Sequence, residues 1–324
     1  YVEQVRERFS LNTKSFVIEV ASNDGYLLKN FVSAGIPCLG IEPTVSTASA
    51  AETLGIPVLR NFFNSSLAAQ IVSERGKVDL VIGNNVYAHV PDINDFTSAL
   101  KAILKPRGVI TLEFPHLLRL IKGNQFDTVY HEHFSYLSLY TVRKIFKQAS
   151  LKVWDVDHLP THGGSLRIYG CHADDPRKIS ASVGESLEEE RRYGLQKLPC
   201  YKKFQSCADR VKTDLLNFLI EQKNTGKTVA AYGAAAKGNT LLNYAGVKPD
   251  LLPYVCDAAP SKQGKFLPGS HIPILSQDIL RERRPDVVLI LPWNIAEEVV
   301  AQCDYVREWG GKFVTAIPKI RVIN

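Results

Sequence analysis

The stretch VIEVASNDGYLL, Val17–Leu28, decides how this chain is read. A short apolar run, VIEV, meets a cluster of turn residues, Ser22, Asn23, Asp24 and Gly25, and gives way to leucines that open a helix. A brief apolar run bounded by turn residues reads as a buried strand. A small, glycine-containing turn after such a strand lets a ligand approach the backbone closely. Glu19 sits inside the strand, where an acid has a reason to be only if something needs it. The turn lacks the G-x-G-x-x-G spacing that holds a pyrophosphate, which argues against a dinucleotide here.

Working outward, the same texture repeats. PCLGIEP (37–43) reads as a second strand closed by Glu42, about 20 positions after the turn, where an acid accepts ribose hydroxyl hydrogen bonds. VDLVIGNNV (78–86) is a further strand, and its turn offers the amides of Asn84 and Asn85. INDFTSALKAILKPRG is amphipathic, with Phe96, Leu100, Ile103 and Leu104 at helical spacing, and is stopped by Pro106 and Gly108. VITLEFPH (109–116) is the next strand, followed by His116; a strand and turn lie around LRIYGCHADDP (166–176). Strands alternating with helices predict a mostly parallel sheet with ligands at the carboxyl ends of its strands. Residues 183–224 are charged and helical. A second alternating unit follows, with TVAAYG (228–233), a helix over 236–245, LPYVCD (252–257), PDVVLILP (285–292), a helix over 294–308 and KFVTAI (312–317).

With 324 residues, 45% hydrophobic and 22% charged, the chain has the length of about two globular domains. No apolar run approaches the ~18 residues of a spanning helix, so no membrane partner is expected. The net charge of +6 is dispersed; it suits an anionic small molecule and argues against nucleic acid. The six cysteines form no C-x-x-C pair, so no zinc framework is readable, and scattered single cysteines fit a reducing cytoplasm. TVYHEHFSY (128–136) is the densest cluster of titratable and aromatic groups. A metal site would need three or more ligands in fixed geometry, and no third histidine or cysteine follows at regular spacing.

The order of strand-end motifs resembles a class I S-adenosylmethionine-dependent methyltransferase. More narrowly, ASNDGYLL, GIEPT, GNNVYAHVPDINDF, EFPHLLRLI, GNQFDTVYHEHFSYLS, THGGSLRIY and AAAKGNTLLNYAGV resemble the sugar C-methyltransferases of deoxysugar biosynthesis, over nearly the whole chain. Those enzymes methylate a carbon of a nucleotide-diphosphate-linked 4-keto-6-deoxysugar. The resemblance implies S-adenosylmethionine as cofactor, held by Glu19, Ser22, Asn23, Gly25, Glu42, Asn84 and Asn85. It implies that His89, Tyr130, Glu132 and His133 line the methyl-transfer site, with His133 as base. Members usually carry an amino-terminal cysteine-rich zinc domain; the chain is expected to begin after it, and no metal is expected in these residues.

The chemistry agrees with that implication. Carbon is a poor nucleophile unless a neighbouring carbonyl acidifies its hydrogen, so the enzyme needs a base and donors for a developing enolate oxygen. A neutral imidazole suits the base near pH 7. Tyr130 and His89 would donate to the enolate, and Glu132 would orient a ring or receive substrate. Read as a strand, 128–136 puts His131 and His133 on one face and Tyr130 and Glu132 on the other; His131 is expected to have a structural role. His116, Arg167 in THGGSLRIY and Lys237 in GAAAKG are the candidates for substrate binding; Arg167 would pair with a phosphate. The helix opening at GAAAKG would add its N-terminus as an anion site. Asp257 stands about 24 residues after that turn, where a second dinucleotide site would need an acid.

The expected fold is α/β: a class I, Rossmann-like methyltransferase domain over 1–178, a helical connector over 179–226 and a second Rossmann-like domain over 227–324. The expected function is C-methylation alpha to the ketone of a nucleotide sugar, carbon 3 being the expected position. Two other readings stand beside it: an O- or N-methyltransferase on a related sugar nucleotide, and a sugar-nucleotide-binding protein without catalysis. Oligomeric state is not readable.

Overall fold

The computed structural model describes Tyr1–Ile323 and divides into two compact units; Asn324 lies outside the described residues. One unit takes residues 1–117 and 132–193, the other 118–131 and 194–323. Along the chain come α1 (Val2–Arg8), β1 (Val17–Val20), α2 (Lys29–Ser33), β2 (Cys38–Ile41), α3 (Val45–Thr53), β3 (Val58–Leu59), α4 (Ser65–Arg75), β4 (Val78–Asn84), α5 (Ile93–Ile103) and β5 (Leu104–Pro115). Next is α6 (Leu117–Lys122), where the chain passes into the second unit. After its return come α7 (Leu139–Gln148), β6 (Leu151–Leu159), β7 (Ser165–His172) and α8 (Ala181–Tyr193).

The first sheet runs β3-β2-β1-β4-β5-β7-β6. β1 to β5 pair in parallel, and β7 runs antiparallel to both β5 and β6. All four residues of β1 are buried, as expected of a parallel strand covered on both faces. The order reverses between β1 and β4, and such a switch point opens a ligand crevice at the carboxyl ends of the two strands. α5 packs Phe96, Ala99, Leu100 and Ile103 inward, and Asp92 caps it through the N–H groups of Asn94 and Asp95 at 3.1 and 3.0 Å.

Three local expectations need correction. The strand expected over 109–116 begins at Leu104, directly after α5, with its register shifted against β4 between Val78 and Leu80. A bulged strand start is where a sheet tolerates a proline such as Pro106. β6 was not expected: its alternation is interrupted by a register shift between Val153 and Asp155 at the sheet edge. The cluster 128–136 is not a strand. Phe126–Thr128 form a 3-10 turn, and the N–H groups of Phe134 and Ser135 share one acceptor, the Ala88 carbonyl, at 2.9 and 3.1 Å. A strand ladder gives each such N–H its own acceptor.

The second unit contains α9 (Leu198–Asn224), β8 (Val229–Tyr232), α10 (Ala236–Ala245), β9 (Val255–Asp257), β10 (Ile274–Ser276), α11 (Ile279–Arg283), β11 (Val287–Ile290), α12 (Ala296–Gln302), β12 (Lys312–Thr315) and β13 (Arg321–Ile323). Its sheet runs β10-β9-β8-β11-β12-β13, parallel except for β12 against β13. The long charged helical stretch is two helices, interrupted at Gly194, whose φ of +89° leaves the helical region. The helix expected over 294–308 is α12 followed by a 3-10 segment, Asp304–Trp309. No helix of the described residues is long and apolar enough to cross a membrane.

Candidate active site

The turn after β1 is wound through left-handed backbone. Ala21, Asn23 and Gly25 have φ of +59°, +50° and +79°. For Ala21 this conformation costs about 1 kcal/mol, a strain typical of ligand-holding turns. At Gly25 any Cβ would lie 2.3 Å from Cδ1 of Ile56, so the position excludes every other residue without local movement. Glu42, at the end of β2, braces the turn: its carboxylate accepts the N–H of Asn23 at 3.2 Å and of Thr44 at 2.8 Å. A carboxylate offers about four lone-pair sites, so two remain for ribose hydroxyls.

Beside this turn lies a pocket of about 640 Å³, within the ~300–1,000 Å³ range of small-molecule sites. Its walls come from the ends of β1 (Val20, Ala21) and β2 (Ile41, Glu42), the segment after β3 (Asn61, Phe62, Phe63, Asn64), and Val86, His89, Phe96 and Phe134. Of the residues expected at the cofactor, Glu42 lines this pocket directly; His89, expected at the methyl-transfer site, lines it too. Sequence reasoning missed Asn61–Asn64 and Phe134. Phe62, in RNFFN, is 76% exposed at this pocket, a placement that the local sequence does not reveal.

The other expected cofactor residues stand at the adjoining ends of β1 and β4. Ser22 Oγ, Glu19 Oε2, Asn84 Oδ1 and Asn85 Oδ1 are buried without a hydrogen-bond partner among the described residues. Buried polar atoms are nearly always paired, so four orphans around one switch point fit a polar ligand such as S-adenosylmethionine. Burial pushes the Glu19 carboxyl up to about 8. Because its folded value lies above its ordinary value of 4.5, the folded state holds an extra proton between about 4.5 and 8. The unfolded state gives that proton up first, so Glu19 erodes stability as pH rises through this window. Glu19→Gln is therefore expected to raise the melting temperature by several degrees at pH 8 and by much less at pH 5. An equal change at both pH values in thermal melts would refute the assignment.

Of the groups expected to do chemistry, His89 and His133 meet on the β4 side. Tyr87 is wholly buried, donating to or accepting from Thr97 Oγ1 at 2.7 Å, and anchors the 3-10 turn Tyr87–His89. Ala88 holds the following loop through the N–H groups of Phe134 and Ser135. As a result the His89 and His133 rings lie 4.6 Å apart, edge to face, with Tyr136 5.8 Å from His133. Glu132 is exposed in the same loop. His131 and Tyr130 belong to the other unit, with their rings 6.4 Å apart.

His116, Arg167 and Lys237 are committed to partners within their own units. His116 is fully buried, its Nε2 2.8 Å from Glu190 Oε1, so it is placed inside the fold and not on an open rim. Glu190 also accepts the first N–H groups of α7, from Leu139 at 2.6 Å and Tyr140 at 3.0 Å. Arg167 donates to Glu113 Oε2 at 2.8 Å and lies over the Tyr1 ring, which neutralises the charge expected to meet a phosphate. Lys237 donates to Asn294 Oδ1 at 2.6 Å over the Trp293 ring, and burial lowers its pKa. Trp293 Nε1 in turn donates to the buried Asp127 at 2.8 Å. Asp257 Oδ2 accepts the N–H of Ala234 at 2.7 Å, so the acid weighed for a second dinucleotide site braces its own turn.

Among the described residues no group of three histidine, cysteine, aspartate or glutamate side chains is arranged to hold a metal. Residues 160–318 match a family described as C-methyltransferase C-terminal domain, and residues 1–156 one described as methyltransferase domain. The chain is 36% identical to the C-methyltransferase NovU of Streptomyces niveus over 318 residues, 98% of this chain and 76% of that protein. It is 23% identical to a ubiquinone biosynthesis O-methyltransferase of Rhodopseudomonas palustris over 112 residues, 32% of this chain and 44% of that one. The YcgJ protein from Bacillus subtilis superposes with a TM-score of 0.44 at 11% identity, covering 53% of this chain and 98% of that one. The chain belongs to the C-methyltransferase family and is an S-adenosylmethionine-dependent methyltransferase.

Proposed function

We propose that the enzyme methylates the carbon next to the ketone, carbon 3, of a nucleotide-diphosphate 4-keto-6-deoxysugar, through an enolate, as a cytoplasmic enzyme of deoxysugar biosynthesis. The observation that carries the reading is the His89–His133 pair, 4.6 Å apart beside a pocket that His89 and Phe134 line. Bound S-adenosylmethionine supplies an electrophilic methyl group. The chain's own residues do the rest. His133 removes the proton alpha to the ketone, a transfer that a positioned imidazole accelerates by about 10²–10⁴-fold. His89, and Tyr130 just upstream in the chain, hold the developing charge on the enolate oxygen. Glu132 orients substrate or ring. Glu19, Ser22, Asn23, Gly25, Glu42, Asn84 and Asn85 hold the cofactor at the switch point. Among the three candidates for substrate, Lys237 lies at the start of α10 with Asn294 as its partner, whereas His116 and Arg167 also serve the fold through Glu190 and Glu113.

The test is direct. Incubation with methyl-labelled S-adenosylmethionine and a panel of nucleotide-linked 4-keto-6-deoxysugars is expected to label a ring carbon of at least one of them. Label on oxygen or nitrogen, assigned by NMR, would overturn C-methylation of this substrate class. Binding of the whole panel without turnover would point to a binding protein instead.

A further inference from the structure

A second pocket, of about 620 Å³, opens in the first unit at the opposite ends of the same strands. Ser15 just before β1, Asp79 at the start of β4 and Arg107 early in β5 border it, whereas Glu42 and His89 stand at the carboxyl ends. The two sites are thus separated by a strand length, roughly 15 Å. Four cationic side chains, Arg8, Lys14, Arg107 and Arg177, and one acid, Asp79, line the wall, while Asp155 and Asp175 pair with Arg8 and Arg177. Asp79 is already satisfied by the N–H of Phe16 and the ammonium of Lys105, each at 2.7 Å.

Two of the cations are held in place before any ligand arrives. Arg8 is paired with Asp155, with its guanidinium 4.8 Å from the Trp154 ring centroid and 4.2 Å from that of Tyr169. Arg177 is fastened to the carbonyls of Arg107 at 2.6 Å and Gly108 at 3.2 Å. Those pairings spend much of the two guanidinium charges on the fold and fix the shape of the wall, so the positive charge offered to a ligand comes mainly from the other two cations. Lys14 and Arg107 are exposed at the same wall. Trp154 adds a donor, its buried Nε1 having no acceptor among the described residues. Phe9, Leu11 and Val109 give the pocket an apolar side.

We propose that this pocket is a second ligand site, for a phosphoryl anion of the nucleoside diphosphate class. The cations and the indole N–H take the phosphoryl oxygens, the apolar side takes the nucleoside, and the volume fits both.

The experiment uses the full chain with saturating S-adenosylhomocysteine, titrated with uridine diphosphate while tryptophan emission is followed. Uridine diphosphate is expected to change the emission of Trp154, one of three tryptophans, and Trp154→Phe to remove that change. The double charge reversal Lys14→Glu, Arg107→Glu lies on exposed side chains, and is expected to weaken binding at least tenfold while leaving methyl transfer intact. His133→Asn, on the catalytic side, is expected to leave the binding unchanged. Unaltered affinity after the charge reversal would overturn the site, as would an emission change that survives Trp154→Phe. Inorganic pyrophosphate is expected to bind more weakly than uridine diphosphate; equal affinity would remove the nucleoside from the proposal.

Discussion

Replacing His133 by asparagine is expected to lower methyl transfer by about 10²–10⁴-fold while leaving the affinity for S-adenosylhomocysteine within about twofold of wild type. Asparagine keeps a polar side chain of similar reach but cannot accept a proton near neutral pH. The pocket beside the β1 turn is lined by His89 and Phe134, and the loop is held by the N–H groups of Phe134 and Ser135 on the Ala88 carbonyl, which the substitution does not touch. Single-turnover assays of product, with calorimetric titration of S-adenosylhomocysteine, separate the two effects. Solvent deuterium provides an independent reading: wild type is expected to exchange the hydrogen next to the ketone, and the variant is not. Retained exchange in the variant would remove His133 as the base and leave Tyr130 or His89 as candidates.

Replacing Glu190 by alanine is expected to destabilise the first unit by about 3–5 kcal/mol, because it strands several buried polar groups at once. The side chain is fully buried and serves His116 Nε2 together with the N–H groups of Leu139 and Tyr140. Its negative charge also lies at the N-terminus of α7, where the helix dipole favours it. Removal loosens the start of α7, and with it the loop from Glu132 to Ser138 that carries His133. Urea melts are expected to show a lower midpoint, with kcat falling more than cofactor affinity. Glu190→Gln, which retains an oxygen for the helix N–H groups, is expected to lose about half as much. A change below 1 kcal/mol for alanine would show that water or a neighbour replaces the carboxylate.

Much of the first unit was legible because its signals are local. VIEV is short and apolar, SNDG is a turn by composition, and Glu42 follows at the interval a ribose acid needs. Phe96, Leu100 and Ile103 recur at helical spacing and are buried as that spacing implies. β6 and β13 were not legible, since edge strands in antiparallel pairing lack the continuous apolar run of buried parallel strands. Arg167 and His116 illustrate the limit at the site: a lone cation or imidazole beside a turn looks available for substrate until the fold supplies Glu113 or Glu190 as its partner.

The sequence by itself determined the alternation of strands and helices, the turn at Ser22–Gly25, the acids Glu19 and Glu42, and the resemblance that named a C-methyltransferase, because each rests on neighbours in the chain or on motif order. Tertiary structure alone decided that residues 118–131 join the second unit, that 128–136 is a loop hung on the Ala88 carbonyl, and that His89 and His133 meet at 4.6 Å. Those outcomes depend on contacts between residues far apart in the chain. Which buried donor finds which acceptor is settled only when the sheets and helices have packed.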